Sequence, residues 1–183
     1  SRPMGYLSWG RLNSASGPAT GAAIDGDTVA ISTSAALLVF SKPGPEWQNM
    51  GTQNARLDKE GILFRQDVEV FGDVIVGAGD LGSDKVLVYV KPAAGGWVND
   101  SSPSAEQVSS SSTMQTNIGM DGDTVAVQAV DGPTELVNVY VEPEGGWSGI
   151  LEEDARLQSP SPGQVFFGAG IASSARNGRA DQT

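Results

Sequence analysis

The sequence predicts an all-β fold of repeated four-stranded antiparallel units, and three observations carry that prediction. Trp47, Trp97 and Trp147 recur at a spacing of 50. The corner Asp25-Gly26-Asp27-Thr28-Val29 returns as Asp121-Gly122-Asp123-Thr124-Val125, with Phe71-Gly72-Asp73-Val74 between them. The segments after each corner are apolar at consecutive positions, so both faces of their sheets must be covered. Repeats of about 40–50 residues that cover each other in this way are the blades of a β-propeller.

Each unit reads as four strands. The first is short and apolar: 21–24, 68–70 and 117–120. A Gly corner follows, where positive φ makes a tight hairpin. The second strand is rich in β-branched residues (28–32, 74–78, 124–128). The third (37–41, 86–91, 136–141) ends at Pro43, Pro92 or Pro143, which cannot donate to a ladder. A Gly- or Pro-containing turn then leads to the Trp, and the fourth strand spans about 54–58, 105–109 and 154–158. There Ala55-Arg56-Leu57 recurs as Ala155-Arg156-Leu157.

At about 49 residues per unit the chain holds about 3.7 repeats, read as one domain over 1–183 with repeats at 20–65, 66–114 and 115–163. Residues 164–183 and 1–13 are expected to belong to a fourth unit, Val165 to Ala172 as its first strand and Gly10-Arg11-Leu12 as its last. A sheet left half-made exposes edges and apolar faces. The expectation is therefore a homo-oligomer, or a neighbouring chain that completes the propeller.

Composition narrows the chemistry. The chain has 183 residues with 11 Lys+Arg, 22 Asp+Glu, no His and no Cys, for a formal charge of -11. Such a charge repels phosphate backbones and anionic lipid, so no nucleic-acid partner is expected. No apolar run approaches the ~18 residues of a membrane helix, so no membrane insertion is expected. Without His or Cys the commonest general base, thiol nucleophile and zinc ligands are missing. The expected protein is not an enzyme.

Several residues invite a functional reading. Trp47, Trp97 and Trp147, with Tyr89 and Tyr140, have faces that suit a sugar ring or another flat partner. Their identical repeat positions instead point to core between units. Asp80 and Asp84 bracket a Gly-containing loop that could offer oxygens to calcium. Two carboxylates are few for a cation that takes six to eight oxygens, so a solvated loop is expected. The corner pairs Asp25/Asp27 and Asp121/Asp123 are expected to stabilise turns through their own backbone. Glu152-Glu153-Asp154 reads as a solvated acidic edge, and Ser109 to Ser112 as a flexible polar loop.

The stretch Gly77-Ala78-Gly79-Asp80-Leu81-Gly82-Ser83-Asp84-Lys85-Val86-Leu87-Val88-Tyr89, with the Asp-Gly-Asp-Thr-Val corners and Gly-Gly-Trp turns, resembles FG-GAP repeats. These are the units of the integrin α-subunit propeller, and the likeness is to the bacterial type. Gly79 stands where the family has Pro, and the calcium loop Asp-x-Asp-x-Asp-Gly of integrin repeats is absent. The resemblance implies an extracellular or cell-surface, non-catalytic binding or assembly module that presents propeller loops to a protein or glycan partner. It implies no cofactor other than calcium. A lectin with pockets between blades, and a hydrolase with carboxylates at the ring centre, are the alternatives.

Overall fold

The computed structural model describes residues 18–64, 67–79, 84–110, 112–159 and residue 171. All regular structure among them is β, in three sheets of the same plan. The first sheet is β1 (Ala19–Asp25), β2 (Thr28–Thr33), β3 (Leu37–Ser41) and β4 (Ala55–Leu57), neighbours in that order. The second is β5 (Val68–Phe71), β6 (Val74–Ala78), β7 (Lys85–Val90) and β8 (Ala105–Val108). The third is β9 (Thr113–Asp121), β10 (Thr124–Asp131), β11 (Thr134–Val141) and β13 (Ala155–Gln158). The short strand β12 (Gly149–Leu151) leaves its own sheet and pairs in parallel with β8.

The corners work as their glycines require. Asp25 faces Thr28 across a two-residue turn, and Gly26, Gly72 and Gly122 have φ of 53°, 55° and 61°. Gly takes this conformation without steric cost, so the turn survives Phe71 in place of Asp. A second periodic device lies at the same end of each sheet, at the C-terminus of the third strand. Asn54, Ser104 and Asp154 precede the outer strands, and their side-chain oxygens accept the amides of Ser41, Val90 and Val141 at 2.6, 3.1 and 2.7 Å. Asp154, exposed on the acidic edge, is therefore also a structural acceptor.

The sheets pack face on face, closest at their first strands: β5 lies against β1 and β2, and β9 against β5 and β6. Two buried cores result. The first joins Ala30, Val39, Ala55 and Leu57 of the first sheet to Val68, Val70, Ile75, Leu87, Tyr89 and Trp97 of the second. The second joins the opposite face of the middle sheet, Val76, Ala78, Val86, Val88 and Ala105, to Ile118, Met120, Val125, Val127, Tyr140 and Trp147. The middle sheet is thus covered on both faces, as its unbroken apolar strands demand.

Three details differ from the sequence reading. The third sheet begins at Thr113, ahead of the expected boundary at 115, because β9 and β10 form a longer hairpin. The second and third strands of this sheet meet at a tight turn, Asp131-Gly132-Pro133-Thr134, rather than an open loop. The parallel strand β12 has no apolar alternation to announce it. Residues 1–13 and 164–183, expected to share a fourth unit, lie outside the described residues except Ile171. That side chain sits over Gly119 of β9, on the face turned away from the middle sheet, where a Cβ would collide with it.

Candidate functional site: the seams between sheets

The residues singled out by repetition converge on the two seams. Trp97 and Trp147 are 6% and 4% exposed, each in one core. Trp47, at the same place in the first sheet, is 39% exposed because no sheet precedes it among the described residues. Two of the three tryptophans are therefore packing residues, and only Trp47 offers a ring face to a partner.

After each Trp the chain runs along the outer strand of the sheet before it. Asp100 forms a parallel bridge to Leu57, its amide donating to the Arg56 carbonyl at 3.0 Å while the Asp58 amide donates to the Asp100 carbonyl at 2.9 Å. The Arg56 amide donates to Asn99 Oδ1 at 2.8 Å. In the next seam β12 does the same work, Gly149, Ile150 and Leu151 facing Ala105, Glu106 and Gln107. Trp97 and Trp147 are thus each the root of an arm that stitches its sheet to the previous one.

The tyrosines add a second stitch. Tyr89 donates its hydroxyl to the Asp58 carbonyl and Tyr140 to the Val108 carbonyl, both at 2.9 Å. Burial pushes both phenols up, with nearby carboxylates adding to the effect, so each remains a protonated donor. Phe40 holds the equivalent place in the first sheet and has no hydroxyl to give. A Tyr in an apolar third strand was the available signal for this role.

Charged groups close the outer ends of the seams. Glu106 accepts from Lys85 Nζ at 2.6 Å and from Lys59, which joins the second sheet to the chain that follows β4. The Lys59 and Lys85 hydrogen bonds hold the Glu106 carboxyl below the usual carboxylate range, against the opposite push of burial. Glu153 accepts from Arg156 Nε at 2.7 Å and from the Ser110 hydroxyl at 2.9 Å, and Arg156 also donates to that hydroxyl at 2.8 Å. Burial pushes the Glu153 carboxyl up, but hydrogen bonds from Arg156, Ser110 and the backbone outweigh it and bring it to about 2. In the expected solvated edge Glu152 and Asp154 are exposed, whereas Glu153 is an ion-paired joint. The serine loop it holds is tied at Ser110, and Ser112 Oγ takes the Asn138 amide at 3.1 Å.

Both carboxyls are depressed in the folded state, so each contributes stability that is present above its unfolded pKa and is lost as pH falls through its folded one. For Glu153 the window runs from about 4.5 down to about 2. The melting temperature should fall steadily across that range, and Glu153→Gln should start lower and fall less. Parallel melting-temperature curves for the two proteins would show that this joint does not set acid stability.

The corner carboxylates, expected to bond the backbone of their own turns, are seen instead to engage neighbouring groups. Asp25 Oδ2 accepts the Gly72 amide of the next corner at 2.7 Å. Asp27 pairs with Lys42 at 3.5 Å, and Asp73 pairs with Lys91. Asp84 is exposed, with φ of 49°, at the start of β7. Asp80 lies outside the described residues. Among the described residues no three His, Cys, Asp or Glu side chains gather as a metal set.

The second seam differs from the first in what fills it. Leu57 and Leu87 fill the first core, whereas Gln107 and Asn138 stand at the equivalent positions of the second, both fully buried. Both amide atoms of Gln107, and Oδ1 of Asn138, have no partner among the described residues; the same holds for the indole nitrogens of Trp97 and Trp147.

No family model matches the chain and no curated protein matches it in sequence. Loose likenesses to solved structures exist. BamB from Moraxella catarrhalis is similar at TM-score 0.45 and 14% identity, over 68% of this chain and 34% of that one. The computationally designed Ika4 protein is similar at 0.38 and 12%, over 71% and 69%. Hsv2 of Kluyvelomyces marxianus is similar at 0.36 and 12%, over 79% and 55%. This chain thus spans about a third of the length of the BamB chain it resembles.

Proposed function

We propose that this chain is a β-propeller segment of FG-GAP-like blades, acting without catalysis as an extracellular or cell-surface binding and assembly module. The observation that supports this reading most is the row of hairpin corners, 25–27, 71–73 and 121–123, each at the same end of its sheet. They are short and Gly-locked, and the first is hydrogen-bonded to the second through Asp25. Rigidly held loops on a packed scaffold are the usual means of shape-complementary recognition. Glu106 and Glu153 are held ionised by cationic partners, which suits joints better than proton transfer in a hydrolase.

A protein or glycan is the partner class of this reading, and a glycan array separates the two. Exposed Trp47 is the one observation that favours a lectin, so glycan binding abolished by Trp47→Ala would replace a protein-binding role with a sugar-binding one. Calcium is expected to be dispensable, since Asp25, Asp27 and Asp73 are engaged with neighbouring groups. A ligand that binds only the native state raises the melting temperature by mass action. The melting temperature in EDTA and in millimolar calcium should therefore agree; a rise of several degrees with calcium would restore the metal role of the family.

A further inference from the structure

Every seam has a donor and an acceptor. The donor is the Trp arm of the later sheet, and the acceptor is the outer strand of the earlier one. The Trp97 arm lies on β4 and the Trp147 arm on β8. Among the described residues one donor and one acceptor are left over, the Trp47 arm and β13, and they are not paired with each other.

The two leftovers match in sequence. Ala155-Arg156-Leu157 repeats Ala55-Arg56-Leu57, and Trp47-Gln48-Asn49 repeats Trp97-Val98-Asn99, including the Asn whose Oδ1 takes the Arg56 amide. The middle seam has neither feature, with Glu106 in the strand and Gly149 in the arm. The leftovers therefore carry the chemistry of the first seam and not that of the second. Their exposure agrees. Leu157 is 53% exposed where Leu57 is 1%, and Ile24, on the uncovered face beside Trp47, is 64% exposed where its equivalents Val70 and Met120 are buried. Ile171 covers Gly119 on the inner strand of the third sheet, while Ala155, Leu157 and Gln158 of the outer strand are exposed.

We propose that these halves join in trans, the Trp47 arm of one copy lying on β13 of a second copy, head to tail. Trp47 covers Ala155 and Leu157 of the neighbour, as Trp97 covers Ala55 and Leu57. The occupant is a second copy because the acceptor asks for a Trp-x-Asn arm, and this chain carries a spare one. A head-to-tail contact is heterologous, so it either closes into a ring or extends into a filament. Each copy carries a formal charge of -11, so association opposes like-charge repulsion and should strengthen with added salt. The inference stands whether or not the corners bind a protein or a glycan.

The test is mass in solution by light scattering over a range of concentrations. The wild-type chain should exceed the monomer mass, more so at higher salt. Trp47→Arg and Leu157→Arg should each lower that mass while keeping their circular-dichroism melts, since both positions are exposed. Mixed together they should regain a heterodimer, because the first retains a good β13 and the second a good arm. A wild-type monomer at high concentration would overturn the proposal and leave Gly10-Arg11-Leu12 as the candidate acceptor for the Trp47 arm. Association that survives both Arg variants, or two folded variants that stay monomeric when mixed, would equally overturn it.

Discussion

Trp97→Ala is expected to destabilise the protein by about 3–5 kcal/mol, the usual cost of emptying a large aromatic site that cannot collapse. The site is rigid on both sides: Ala55 and Leu57 belong to a strand held by β3, and Tyr89 is tethered through its hydroxyl to the Asp58 carbonyl. Neither wall can move inward without breaking a ladder. The same change at Trp47 should cost far less in the isolated chain, because that ring is already half in water. Trp97→Phe should fall between, since the indole nitrogen has no partner among the described residues and its loss removes no bond. Urea denaturation of the three variants checks the order. A Trp97→Ala protein that keeps its stability but loses a ligand would make the ring a binding surface instead.

The parts of this architecture that were legible in the sequence are those that repeat. The corners announce themselves because only Gly takes their φ cheaply, and the outer strands because Ala-x-Leu recurs with the tryptophans. The two-sided burial of β7 follows from the run Val86-Leu87-Val88-Tyr89, which leaves no face for water. What stayed hidden depends on neighbours rather than on pattern. Glu153 looks like one more surface acid until the fold brings Arg156 and Ser110 to it. Gly149-Ile150-Leu151 is a strand only because β8 offers it an edge. Trp47 and Trp97 are indistinguishable by type and spacing, and they differ only in whether a sheet stands in front of them.

Gln107→Leu is expected to stabilise the protein by about 1–3 kcal/mol, the range set by relieving a buried amide of its unmet hydrogen bonds. The argument comes from the protein's own repetition. Leu57 fills the equivalent position in the first seam at 1% exposure, so the architecture accepts a leucine there without rearrangement. Gln107 is fully buried, and neither its amide oxygen nor its amide nitrogen has a partner among the described residues. An unsatisfied buried polar group costs its desolvation in full, whereas an apolar group of similar size adds contacts with the core around Tyr140 and Trp147. The same change at Asn138 should gain less, because its amide nitrogen already donates to Ser112 Oγ and that bond would be lost. Melting temperatures of the wild type, Gln107→Leu and Leu57→Gln decide the matter. The first substitution should raise the transition and the second lower it, and a fall on Gln107→Leu would show that ordered water holds this amide in the second seam.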